Sequence, residues 1–213
     1  MSILTDNQRK EIAQYVTEGE ELSGCEFVSV IVSKSGRYPI IYWKTAVIGI
    51  LTISISLLLL DYFTLTFFML PTHALWAFSL TTGLCTLWFP FLFKNVQRKI
   101  IGRDHLDRQS LTYARDAFLQ HEIFDTSHRM GILIYISVFE RKAHIIADFG
   151  LDQFMTEQDW KKVIKQIRPV LKKKEYHTAI IEGIKSITSR IMEHPNFTKP
   201  DSTNELTNNA IDE

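Results

Sequence analysis

The side chains with the right chemistry for a site are three carboxylates, Glu26, Asp148 and Asp152, and the adjacent cationic pair His128 and Arg129. Carboxylates brought to one place hold a hard divalent cation, calcium or magnesium, through oxygen ligands. A cation so held positions and polarises a phosphate, and His128 and Arg129 are the groups that would bind the anion itself. The plainer alternative makes Asp148-Phe149-Gly150 a strand-ending turn and Glu26 and Arg129 a surface ion pair. A second set, Lys34, Arg37 and Arg141, would attract anionic lipid headgroups, or is the ordinary cationic flank of a membrane segment. The chain contains no P-loop, no cysteine-arginine phosphatase loop, no His-Glu-x-x-His and no Cys-x-x-Cys. Any site must therefore be assembled by the fold from distant segments.

The elements that would position these residues are legible from periodicity. Residues 6–21 form a helix capped by Thr5 or Asp6, with Ile12, Tyr15 and Val16 on one face and Ser23-Gly24 as its end. Residues 25–33 form a strand, with Val28, Val30 and Val32 on one face and Phe27 and Ile31 on the other. Apolar residues on both faces mean a central strand covered on both sides. Residues 104–122 are helical, with His121 a half-buried histidine at the edge of the core. Residues 129–139 alternate as a second strand, Glu140-Arg141-Lys142 turns the chain, and 143–148 returns antiparallel. Thr156 caps a helix whose last turn contains Pro169, and 176–193 is the final helix, stopped at His194-Pro195. Residues 196–213 are polar and turn-rich and read as a disordered tail.

If the first two strands are parallel, the Glu140-Arg141-Lys142 turn lies with Ser33 and Arg37 at one end of the sheet. Glu26, His128, Arg129, Asp148 and Asp152 then gather at the other.

Between the first and second strands lies a different kind of sequence. Residues 45–60 and 74–93 carry no charge, and about 20 apolar residues suffice to cross a bilayer as a helix. The stretch reads as a two-helix transmembrane hairpin over 43–93, with a turn around Pro71-Thr72-His73. Asp61 and His73 interrupt it near its middle, and a re-entrant Asp61 end is the variant of this reading. Lys34, Arg37 and Lys44 precede the hairpin, and Lys94, Arg98, Lys99 and Arg103 follow it. Residues 61–73 carry no lysine or arginine, so both termini and the soluble domain are expected in the cytoplasm. Residues 94–101, basic and apolar, either continue the second helix or lie along the headgroups.

The whole chain has 213 residues and balanced charge, 24 basic against 24 acidic. That balance, without a basic stripe, speaks against a nucleic-acid partner. The two cysteines, Cys25 and Cys85, fall in a soluble strand and in the hairpin, so no disulfide framework is expected. Residues 1–21 are polar rather than a signal peptide, and insertion would be directed by the hairpin. The expected organisation is one discontinuous α/β domain, a three-layer α/β/α sandwich with a small mixed central sheet. Residues 1–42 and 94–195 build it, 43–93 interrupt it, and 196–213 trail from it.

Several segments together resemble a known family. They are 26–33, Ser35-Gly36-Arg37-Tyr38-Pro39, Met130-Gly131-Ile132-Leu133-Ile134-Tyr135-Ile136-Ser137, Glu140-Arg141-Lys142 and Ile146-Ala147-Asp148-Phe149-Gly150-Leu151. In this order they resemble the TPM domain family, over about 5–41 and 104–195. The resemblance is nearest to bacterial membrane members that carry a hairpin inside the domain. It implies an α/β/α sandwich in a bacterial cytoplasmic (inner) membrane. For function it implies either of two roles: a module that binds or assembles membrane-protein partners or further copies of itself, or a metal-dependent acid phosphatase acting on phosphomonoesters. Many members sit outside the cytoplasm behind a signal peptide, and the cationic flanks here depart from that pattern.

Overall fold

A computed structural model describes residues 3–67, 72–195, 197–199, 206 and 208–212. In chain order they form helix α1 (Asp6–Ser23), strand β1 (Glu26–Val32), helices α2 (Ile40–Phe67), α3 (Thr72–Leu92), α4 (Lys94–Ile101) and α5 (Arg103–Gln120), strands β2 (Gly131–Ser137) and β3 (Lys142–Ala147), a 3-10 turn (Phe149–Leu151), helices α6 (Glu157–Lys172) and α7 (Tyr176–Met192), and strand β4 (Ile211–Asp212). Two compact units result: Met1–Gly36 with Asp107–Glu213, and Arg37–Leu106.

The first unit is built on a four-stranded sheet of order β3-β2-β1-β4. β1 and β2 run parallel, from Glu26 opposite Gly131 to Val32 opposite Ser137, and β3 returns antiparallel to β2. The alternation in β1 sorts its side chains as the sequence predicts. Phe27 and Ile31 join Ile132, Ile134 and Ile136 under Ile12, Val16, Val163, Ile167, Ile180 and Ile184 of α1, α6 and α7. Val28, Val30 and Val32 join Leu133 and Tyr135 against Ala114 of α5. This is an α/β/α sandwich, and each fully buried aliphatic side chain contributes roughly 1.5–3 kcal/mol to it.

Local chemistry sets the helix ends. Thr5 makes a capping box with Gln8, and Gly24 ends α1 at φ 65°. Thr156 makes a second capping box with Asp159, and α6 runs through Pro169 to Lys172.

The end of the chain corrects one expectation. Residues 196–213 read as a disordered tail, yet Ile211 and Asp212 form β4, parallel to β1 at Val30 and Ile31. Ala210 is buried, and Asp212 Oδ2 accepts from the Ile3 amide at 2.7 Å, the Leu4 amide at 3.2 Å and Arg9 Nη2 at 3.0 Å. A buried carboxylate with three donors pins the terminus to the start of the chain, which polar composition alone does not reveal.

The second unit is an antiparallel helical hairpin. Tyr42 stacks on Phe91 at 5.6 Å, and Ser56 and Ser79 hydroxyls meet at 3.2 Å. Between those contacts Gly49 faces Leu87 and Gly83 faces Ile53 so closely that an added Cβ would lie 2.9 Å and 2.4 Å from those side chains. Small residues and paired hydroxyls at a helix contact, with large apolar side chains outside, are how helices associate in lipid. Trp43, Ile50, Leu58, Leu80, Leu84 and Trp88 all point outward. Over Ile40–Tyr62, α2 is long and apolar enough to cross a membrane, with mean hydropathy 1.9. Residues 94–101 do not continue α3 in a straight line: Trp76–Leu92 and Lys94–Ile101 meet at 98°. Pro71, in the expected turn, lies outside the described residues.

Candidate functional site

The starts of β1 and β2 and the end of β3 lie side by side. The Glu26 amide donates to the Met130 carbonyl at 3.2 Å, and the Asp148 amide to the Gly131 carbonyl at 2.9 Å. The turn after β3 then folds back over the one before β2, with the Gly150 amide 3.0 Å from the Arg129 carbonyl. Only glycine fits there, because a Cβ would lie 2.5 Å from the Arg129 oxygen and 2.6 Å from that of His128. Gly131 is equally constrained, with a Cβ 1.9 Å from the Ile123 carbonyl oxygen.

Asp148 caps the 3-10 turn, its Oδ1 accepting from the Phe149 amide at 2.8 Å. The same carboxylate takes the Arg129 guanidinium, Nε 2.7 Å from Oδ2 and Nη2 3.2 Å from Oδ1. Arg129 is held at φ 55°, and its guanidinium carbon lies 5.8 Å from the Phe124 ring centre and 5.0 Å from that of Phe149. The result is a cation stacked among aromatic rings at a sheet end, fixed by a carboxylate from behind, with Phe149 63% exposed.

The expected ion pair between Glu26 and Arg129 is not formed this way. Arg129 pairs with Asp148, while the buried Glu26 carboxylate accepts from the Leu206 amide at 3.2 Å. Its acidic neighbour is Glu20, which sequence reasoning missed. Glu20 Oε1 accepts from the Phe27 amide at 3.0 Å and Oε2 from Asn208 Nδ2 at 2.8 Å. Burial, reinforced by the nearby Glu26 charge, raises its pKa to about 7. The signal was its phase: Ile12, Val16 and Glu20 recur every four residues on the buried face of α1.

Asp152 ends the 3-10 turn and is exposed, as is His128. Glu26, Asp148 and Asp152 thus share one end of the sheet without converging. Among the described residues no group of three or more His, Cys, Asp or Glu side chains is arranged to hold a metal ion.

At the opposite end Glu140 is buried; its Oε1 accepts from the Ser35 amide at 3.0 Å and its Oε2 from the Ser137 hydroxyl, while Tyr135 donates to Ser35 Oγ at 2.9 Å. Lys34 and Arg141 flank this network, Lys34 Nζ lying 4.9 Å above the Phe139 ring and Arg141 at φ 55°. Arg37 is exposed and opens the second unit. A further pair, Ser110 Oγ and His144 Nε2 at 2.8 Å, has a serine–histidine geometry, with Ser110 fully buried and His144 half-buried. Burial lowers the His144 pKa.

The family model described as the TPM domain matches residues 95–190. No curated protein matches the chain significantly. A solved structure with a similar fold is the NMR structure of BA42 protein from the psychrophilic bacterium Bizionia argentinensis, with a TM-score of 0.58 at 14% identity. The similarity covers 98% of this chain and 94% of that one, and at such identity it speaks for the fold alone. The α/β/α sandwich and the sequence match agree: residues 95–190 are similar to the TPM domain, within a fold shared with the solved structure.

Proposed function

We propose that this is a membrane-tethered TPM-domain protein whose soluble unit is a binding and assembly module. The observation that carries the reading is the Phe124–Arg129–Phe149 stack locked by Asp148. Arginine and aromatic side chains held rigid at a surface are the groups that anchor protein partners, because little entropy is lost when they are covered. β1 runs from Glu26 towards Val32, so this end of the sheet is the one away from the point where the chain leaves the unit at Gly36.

The tether is the hairpin. α2 is apolar along its outward face, and α3, 21 residues or about 31 Å long, matches the ~30 Å hydrocarbon thickness for the return. The lysines and arginines before α2 and after α3 favour a cytoplasmic soluble unit and cytoplasmic termini, in a bacterial inner membrane. Partners are membrane proteins or further copies of this chain.

The test uses full-length protein. A photo-crosslinker at Phe149 should give a discrete adduct in native membranes that Arg129→Ala removes. Phosphomonoester turnover should be absent with magnesium, manganese or calcium. Metal-dependent turnover that Asp148→Asn abolishes would overturn the reading in favour of a phosphatase.

A further inference from the structure

We infer that α4 lies in the headgroup layer of the membrane and binds the phosphates of anionic lipids through Lys94, Arg98 and Lys99. The inference rests on the membrane reading proposed above and adds a lipid-binding element to it.

The geometry begins at Phe93. Its extended backbone, φ −127° and ψ 106°, separates α3 from α4, and the chain turns through 98°. A helix that leaves a membrane span at a right angle runs along the bilayer surface. α4 has the composition for that position. Residues 94–103 contain no acid. At 100° per residue Lys94, Asn95, Arg98 and Lys99 fall on one side, and Val96 and Ile100 on the other. Arg98 Nη1 donates to Asn95 Oδ1 at 2.8 Å, which holds the guanidinium on the cationic side.

Two independent features put α4 at the right level. Tyr42, Trp43, Trp88, Phe91 and Phe93 are all exposed at this end of the hairpin, and Tyr42 stacks on Phe91. A ring of exposed aromatic residues marks the depth of the headgroup boundary. Lys44, from the start of α2, donates to the Ile100 carbonyl at 2.7 Å and the Ile101 carbonyl at 3.2 Å. It binds the negative end of the α4 dipole and ties the helix to the base of the hairpin. An 8-residue helix is too short to bind a membrane by itself. Attached to a span, it meets the surface at high effective concentration. Its apolar side then faces acyl chains while its cations reach phosphates.

The experiment uses the full chain in nanodiscs, in a Cys25→Ala, Cys85→Ala background, with a spin label at Val96→Cys or at Ile55→Cys. Depth is read from collisions with oxygen and with a nickel chelate, in phosphatidylcholine alone and with phosphatidylglycerol. The Ile55 label should be deep in both. The Val96 label should lie at the headgroup boundary with phosphatidylglycerol and shift towards water without it. Partition into that layer should fall roughly fivefold for each cation removed by Lys94→Gln, Arg98→Gln or Lys99→Gln. A deep Ile55 label with Val96 in water throughout would overturn the inference and leave the tether intact. A Val96 depth indifferent to lipid charge and to the three substitutions would also overturn it, as apolar insertion without phosphate binding. An Ile55 label in water would overturn the membrane reading and this inference with it.

Discussion

Arg129 Nε stands 2.7 Å from Asp148 Oδ2, with the carboxylate nearly covered (8% exposed) and the guanidinium side chain 43% exposed. The two ends of the pair therefore carry unequal weight. Removing Arg129 strands a buried charge, and Arg129→Ala should cost about 1–3 kcal/mol. Arg129 also holds φ 55°, so Arg129→Gly should be less harmful than Ala by about 0.5–1 kcal/mol, although both lose the pair. Urea unfolding of the two variants checks the order. An Ala variant as stable as Gly would show that the left-handed backbone costs nothing here.

Glu20 makes stability depend on pH. Its folded pKa is about 7 against an ordinary 4.5, chiefly through burial. Between those values the folded state keeps a proton that the unfolded chain releases, so stability falls as pH rises through this window. Glu20→Gln should therefore leave Tm little changed near pH 4.5 and raise it above pH 7. The Tm difference from wild type should grow with pH, read by a series of thermal melts; a constant difference would refute the protonation account.

Gly150 is a packing constraint on the candidate surface. Gly150→Ala drives a Cβ into the backbone carbonyls of His128 and Arg129, and neither can yield as a flexible side chain would. The expected cost is about 1–3 kcal/mol. Because the turn must shift, the Phe149 ring should leave the Arg129 guanidinium, and the Phe149 crosslink should weaken beyond what the stability loss explains.

Asp212 fastens the terminus. Asp212→Asn keeps the shape but removes the charge that three donors share. A hydrogen bond to a charged group contributes about 1.5–3 kcal/mol, and because Asn keeps an acceptor oxygen a loss of about that order is expected. Limited proteolysis should then cut within the last residues first, with α1 and β1 still protected; wild-type resistance there would make the strap dispensable.

The Thr156 cap is a local test. Its hydroxyl accepts from the Asp159 amide at 3.3 Å and donates to Asp159 Oδ2 at 2.6 Å. That hydrogen bond, with Lys162 beside it, lowers the Asp159 pKa to about 2. Thr156→Ala should cost about 1 kcal/mol and bring the Asp159 titration back towards the ordinary carboxylate range, as NMR would show.

By itself the sequence determined whatever depends on near neighbours along the chain. Val28, Val30 and Val32 alternate with Phe27 and Ile31, and that period of two assigns them to opposite faces of a doubly covered strand. Thr5, Gly24 and Thr156 mark helix ends through bonds that span a few residues. The uncharged runs over 45–60 and 74–93 show in the sequence alone, and the structure gives the first as a helix long and apolar enough over Ile40–Tyr62 to cross a membrane. The parallel pairing of β1 with β2 was only a condition in sequence terms; the structure meets it, and Glu26, Arg129 and Asp148 then share one end of the sheet.

Tertiary structure decided the rest, because partner choice is settled by competition in space. Sequence reasoning paired Arg129 with Glu26, but it meets Asp148 because the β3 turn folds over it while Glu26 accepts from the Leu206 amide. Asp152, four residues beyond Asp148, is exposed at the end of the 3-10 turn, and among the described residues no group of three or more His, Cys, Asp or Glu side chains is arranged to hold a metal ion. Ile211 and Asp212 have no strand pattern of their own; they become β4 only because β1 presents an edge and Arg9, Ile3 and Leu4 present donors. Phe93 likewise sits in an apolar run that looks continuous, and its extended backbone turns the chain into a helix of different character.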